Sequence, residues 1–175
     1  IDQENGDYIV AYKVNEPSSY KIDVGMVTGS GLVGNYYLNE TLLVPTITMI
    51  DERIDFNAWH LGKSFSHVTW TGYMSFPHNG KFELELTGIE GNCTVFVGSK
   101  IVVDSSLGSS IGSFNAVENM LYQLKIEYSI AIDINRLLLK MYWASAKMPK
   151  QIVPGSHYFN ATEPIHGSPF HLTIL

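Results

Sequence analysis

Gly29-Ser30-Gly31-Leu32-Val33-Gly34 has the G-x-G-x-x-G spacing of a dinucleotide-binding loop. In that chemistry the glycines bring backbone N–H groups against a pyrophosphate, and the N-terminus of the next helix holds its charge. Here Asn35-Tyr36-Tyr37-Leu38 follows, and Pro45 arrives before any helical pattern. The loop lacks the helix it needs. Gly108-Ser109-Ser110-Ile111-Gly112 spells G-x-S-x-G, which presents a nucleophilic serine only between a strand and a helix of a parallel sheet. No strand–helix alternation surrounds it, and the stretch reads as a surface loop.

The remaining reactive side chains are scattered. His60 and His67, or His166 and His171, lack the short spacing of a structural zinc site. Glu83 and Glu85 fall on one face of an alternating stretch and read as solvated, whereas paired catalytic carboxylates need a cleft. Cys93 is the one cysteine, so no internal disulfide forms. Its ordinary role is that of a small buried apolar residue, because a reactive thiol needs a neighbouring base. Asn39-Glu40-Thr41, Asn92-Cys93-Thr94 and Asn160-Ala161-Thr162 are N-glycosylation sequons. Asn39, Asn92 and Asn160 are therefore the glycosylation candidates, and they favour a secreted protein.

The elements around these residues are strands. In Gly80–Gly88, Phe82, Leu84 and Leu86 alternate with Lys81, Glu83, Glu85 and Thr87. In Leu121–Ile130, Tyr122, Leu124, Ile126, Tyr128 and Ile130 alternate with polar residues. Such strands bury one face and wet the other, as in antiparallel sheets. Val68, Trp70 and Met74 likewise share a face. Leu137–Trp143 is apolar on both faces apart from Lys140, which suits a central strand. Gly98-Ser99-Lys100 between Val95–Val97 and Ile101–Val103 predicts a tight hairpin, with Gly supplying positive φ. Asn115 and Glu118 have capping-box spacing and predict a short helical turn before the Leu121 strand. Tyr8, Val10, Tyr12 and Val14 alternate in an N-terminal strand or arm, and the tail rich in Gly, Pro and His reads as irregular.

With 175 residues, 45% hydrophobic, 12% aromatic and 16% charged, the chain can bury a full core without disulfides. A net charge of −6 without a basic cluster repels nucleic acid and anionic membrane rather than steering them in. The apolar stretches at Leu42–Ile50 and Leu137–Trp143 are too short to span a bilayer. The chain starts at Ile1 rather than Met, and a fragment of something larger is expected.

In order along the chain come Gly31-Leu32-Val33-Gly34-Asn35-Tyr36-Tyr37, Arg53-Ile54-Asp55-Phe56-Asn57-Ala58-Trp59 and Val68-Thr69-Trp70-Thr71-Gly72-Tyr73. Then follow Gly80-Lys81-Phe82, Val95–Asp104, Ile126-Glu127-Tyr128, Leu137–Trp143 and Val153-Pro154. This succession resembles the PA-14 domain family, named after anthrax protective antigen, from about residue 31 to 159. The resemblance implies an all-β, antiparallel β-sandwich or barrel at 31–159; it does not extend to residues 1–30, read from their alternation as an N-terminal arm packed on the body, or to 160–175, read from their composition as an irregular C-terminal tail. It further implies a module of toxins, adhesins, glycosidases and cell-surface proteins, many of them glycan-binding.

In adhesin-type members two adjacent aspartates hold a calcium ion that in turn holds sugar hydroxyls. Here Ile89-Glu90-Gly91-Asn92 stands at that place and keeps one carboxylate. The pair that would hold calcium is not kept, and no cofactor is expected. Glu90 and Asn92, with Asp133 and Asn135 in a facing loop, are the candidate ligand-binding residues. Trp59, Trp70 and Trp143 are expected in the core. The expectation is a non-catalytic extracellular or cell-surface recognition module for a glycan or a protein, within a larger chain. A structural domain packing on a neighbour, or an accessory domain of a glycosidase, are the alternatives.

Overall fold

The computed structural model describes residues 19–22, 25–38, 43–59, 65–130, 137–164 and 170–173. The chain divides into two compact units, one of Ile1–Met26 with Glu163–Leu175 and the other Val27–Thr162. In the first, β1 (Ser19–Ile22) pairs antiparallel with β15 (Phe170–Thr173), Ser19 opposite Thr173. The Asn39 sequon, Asp133, Asn135 and the alternating Tyr8–Val14 stretch lie outside the described residues.

The second unit holds two sheets of antiparallel strands. The larger runs β2 (Gly25–Ser30), β14 (Tyr158–Pro164), β6 (His67–Met74), β11 (Tyr122–Ile130), β8 (Gly91–Val97), β9 (Lys100–Asp104), with β3 (Leu32–Tyr37) between β6 and β4 (Ile47–Asp51). The smaller runs β10 (Ile111–Ala116), β7 (Gly80–Thr87), β12 (Leu137–Ser145), β13 (Met148–Ile152), and β5 (Asp55–Trp59) also pairs with β12. Alternation dictates what each strand buries. Val68, Trp70 and Met74 of β6, Phe82, Leu84 and Leu86 of β7, and Leu124, Ile126 and Tyr128 of β11 all face the core. Trp70 and Trp143 are buried there, with Phe56 stacked on Trp70 at 5.5 Å and Phe76 wedged 5.9 Å from Trp143 and 4.8 Å from Phe82. The backbone of Trp59 ends β5.

Asp51, at the end of β4, is the buried acid of this core. Its Oδ2 accepts from the Tyr36 hydroxyl at 2.7 Å and from Trp70 Nε1–H at 2.8 Å. A Cβ on Gly34 would stand 2.2 Å from that oxygen, so only glycine at 34 leaves room for the carboxylate.

The β8–β9 hairpin turns at Gly98, φ +61°, with Val97 opposite Lys100, which is the positive φ expected there. Leu137–Ser145 is a central strand, flanked by β7, β5 and β13. Asp55 pairs with Arg53 and Lys140, and Asp104 caps the short 310 helix Ser105–Leu107 through Ser106.

Two local expectations give way to pairing. Asn115 does not start a helical turn: it belongs to β10, opposite Lys81, and the Glu118 N–H goes to Asn79 Oδ1 at 2.8 Å. Only Val117–Leu121 joins β10 to β11, too short a connection for a helix. The described residues of the 160–175 tail are not irregular either: residues 160–164 belong to β14 and Phe170–Thr173 form β15. The dinucleotide-like glycines lie in and between β2 and β3, and strand β10, not a helix, follows Gly108-Ser109-Ser110.

Candidate functional site

Four strands of the larger sheet bring one row of side chains to its rim. Tyr37 of β3 stands opposite His67 of β6, His67 opposite Ser129 of β11, and Ser129 opposite Asn92 of β8. Their chain neighbours Tyr36, Val68, Tyr128 and Cys93 are all buried. A strand's side chains alternate between faces, so the four row residues point outward. The Tyr37 and His67 rings are 5.7 Å apart at 49°, and His67 Nδ1 lies 3.3 Å from Ser129 Oγ. Asn92 at the end of the row is exposed.

The β7–β8 turn delivers Glu90 to the same rim. Gly88 there takes φ +76°, and a Cβ on it would meet Leu138 Cγ at 2.8 Å. The Glu90 N–H donates to the Tyr128 hydroxyl at 2.8 Å, anchoring the turn on β11. Burial raises the Tyr128 pKa, so this hydroxyl stays protonated. Strand β11 runs out at Ile130 opposite Gly91, beside the turn.

A phenol, an imidazole, a hydroxyl and a primary amide in one row both donate and accept hydrogen bonds. That inventory matches a polyol, whose hydroxyls need both, and offers a phosphate no cationic fork. Among the described residues no group of three His, Cys, Asp or Glu side chains is placed to hold a metal ion.

Residues 31–156 match the sequence profile of the PA14 domain. The chain belongs to the PA14 domain family. This PA14 domain is 25% identical over 149 residues to the anti-sigma-I factor RsgI3 of Acetivibrio thermocellus, a match covering 79% of the chain and 22% of that relative. It is similar in fold to an anti-sigma factor domain-containing protein from Clostridium clariflavum, with TM-score 0.64 and 23% identity over 78% of this chain and 49% of that one. The PA14 sugar-binding domain from an RTX adhesin shares the fold at TM-score 0.59 and 14% identity, over 77% of this chain and 100% of that domain. The chain thus spans about a fifth of the curated relative and about half of the solved Clostridium clariflavum chain.

Of the residues singled out by sequence, the PA14 domain brings Glu90 and Asn92 to one rim. His67 and Ser129 carry no motif, Tyr37 enters only as the last residue of the family-like Gly31–Tyr37 segment, and strand register gathers the three. Of the sequons, Asn92 is open, whereas Asn160 Nδ2 donates to the Ser30 carbonyl at 2.6 Å and its amide lies against Gly29.

Cys93 lies directly beneath Asn92, fully buried, its N–H donating to Ser105 Oγ at 2.7 Å. Burial pushes its thiol pKa up to about 12, and the thiolate is the reactive form. Native protein is expected to resist maleimide at pH 8 and to label fully only on unfolding. Rapid labelling of folded protein, followed by mass spectrometry, would contradict this.

Proposed function

We propose that this PA14 domain is a non-catalytic extracellular recognition module that binds carbohydrate at the Tyr37–His67–Ser129–Asn92 rim. The observation that carries the reading is the row itself, four hydrogen-bonding side chains in register on neighbouring strands. The fold shared with a sugar-binding adhesin domain supports it. Glu90 anchors the adjoining turn through its N–H on the Tyr128 hydroxyl, one oxygen of its carboxylate is buried, and calcium is not required. Aromatic Tyr37 and His67 supply a surface for the apolar face of a sugar ring, and Ser129 and Asn92 reach its hydroxyls.

Saturation-transfer NMR against a broad saccharide panel, with and without chelator, tests the proposal. A binder is expected, its signal unchanged by chelation and weakened about tenfold by His67→Ala, the loss of roughly one good hydrogen bond. A silent panel, or a His67→Ala protein that binds as well as wild type, would sink it.

A second reading concerns the parent chain. The likeness to two anti-sigma factor proteins, each longer than this chain, supports a role as the ligand-sensing part of a larger regulator. Ligand addition to the full-length protein is then expected to change its affinity for a sigma factor. An unchanged affinity would count against it.

A further inference from the structure

Two residues inward along each strand from the rim lies a longer row. Thr48 of β4, Asn35 of β3, Thr69 of β6, Glu127 of β11, Thr94 of β8 and Asp104 of β9 stand opposite one another in unbroken register across six strands. All six bear hydrogen-bonding side chains on the outward face, since Leu32, Val68, Trp70, Ile126, Tyr128, Val95 and Val103 occupy the core face of the same strands. The Thr48 hydroxyl donates to Asn35 Oδ1 at 2.7 Å, which leaves the Asn35 NH2 to donate outward.

The two sides of this row differ. Toward the rim stand the Tyr37 and His67 rings. On the other side a parallel row carries the exposed Ile50 and Ile101, with Phe96 beneath the Lys125 ammonium at 5.7 Å. The face is therefore a polar stripe with the Tyr37 and His67 rings on one border, beside Ser129 and Asn92, and Ile50, Phe96 and Ile101 on the other, interrupted by Thr71 and Lys125. Its charges are largely occupied internally: Glu127 pairs with Lys125 at 2.5 Å, and Asp104 caps the 310 helix.

We propose that this stripe is a platform for a single linear, neutral polysaccharide chain lying across the strands, an extension of the rim that rests on the carbohydrate reading above. Five inter-strand gaps of about 4.8 Å make the row about 24 Å long, room for roughly four or five pyranose rings. A single sugar leaves most of it empty. Pyranose chains are themselves banded, with equatorial hydroxyls between apolar ring faces, and the polar stripe with its two borders mirrors that banding. The absence of an unpaired cation on the row, and the two carboxylates on it, select against polyuronates. The row also follows the sheet's twist, which suits a soluble chain that can wind and disfavours a flat crystalline surface.

Isothermal titration with a ladder of neutral gluco-oligosaccharides and galacto-oligosaccharides, from monosaccharide to hexasaccharide, tests the platform. Affinity is expected to rise with length by tenfold or more and to level off near five rings. Thr69→Lys, an outward change at the middle of the row, is expected to abolish that gain while leaving monosaccharide binding within twofold. A circular dichroism spectrum and melting curve like those of wild type would show that this variant folds. Equal binding of monosaccharide and hexasaccharide, or a Thr69→Lys protein that keeps the length dependence, overturns the platform and leaves the rim site standing. A ladder in which nothing binds, the monosaccharide included, overturns both.

Discussion

Replacing Gly112 with alanine is expected to destabilise the domain by about 3 kcal/mol, at the upper end of what an overpacked core position costs. Gly112 lies in β10, the edge of the smaller sheet, opposite Leu84. The carbonyl of Val102, on the edge strand β9 of the larger sheet, approaches so closely that a Cβ at 112 would sit 1.6 Å from its oxygen. No side-chain rotation relieves a clash with backbone. The two edges must move apart, and the seam that closes the barrel on this side opens. For a domain of this size roughly 3 kcal/mol corresponds to a melting temperature lower by about 6–12 °C. Gly108→Ala is the control, because Gly108 has φ +82° with nothing within 4 Å of an added Cβ. It carries only the left-handed backbone penalty, about 1 kcal/mol. Melting curves for both variants decide the matter; equal shifts would contradict the seam.

Gly112 also shows what sequence alone can reveal. It is the last glycine of a serine-hydrolase-like motif, and its requirement comes from a carbonyl ten residues earlier in chain that no local pattern discloses. Strands such as Gly80–Thr87 and Tyr122–Ile130 were legible because alternation is local and each buries one face. The Asn115–Glu118 capping signal misled because strand pairing with β7 outweighs a weak local preference. The C-terminal strands were hidden for a related reason. Phe170–Thr173 finds its partner at Ser19–Ile22, far away in the chain, and its alternation of Phe and Leu with His and Thr is only four residues long, too short a run to stand out beside the Gly, Pro and His that precede it.

The same distinction holds for the site. Glu90 and Asn92 were found because they flank Gly91 at the start of β8, a stretch whose place in the family pattern is recognisable. His67 and Ser129, 62 residues apart, meet only through the β6–β11 register. A one-residue slip would point both of them into the core, so a rim of this kind is legible only once pairing is known.

Removing the Asp51 carboxylate is expected to be the most damaging single change in the core. In Asp51→Ala the Tyr36 hydroxyl and Trp70 Nε1–H both lose the acceptor they share. Each buried donor left without a partner costs about 1–3 kcal/mol, so the loss is roughly 2–6 kcal/mol. The cavity left by the side chain adds to it. Asp51→Asn is a different experiment. Its carbonyl oxygen can accept from both donors, so the fold survives, and only the titration is removed.

Burial raises the Asp51 pKa above the ordinary 3.8, although the bonds from Tyr36 and Trp70 pull it back down. The folded state therefore holds this proton more tightly than the unfolded chain. The stabilisation from protonating Asp51 is complete below the unfolded value and is lost as pH rises through the folded one. Wild type is thus expected to lose stability relative to Asp51→Asn from about pH 4 upward, then to run parallel once the folded carboxyl has ionised. Urea unfolding of both proteins between pH 3 and pH 8 measures that difference. Either of two results contradicts this: a flat gap would show that the two donor hydrogen bonds offset desolvation, and a gap that shifts in favour of wild type as pH rises would show that they outweigh it and hold the carboxylate ionised.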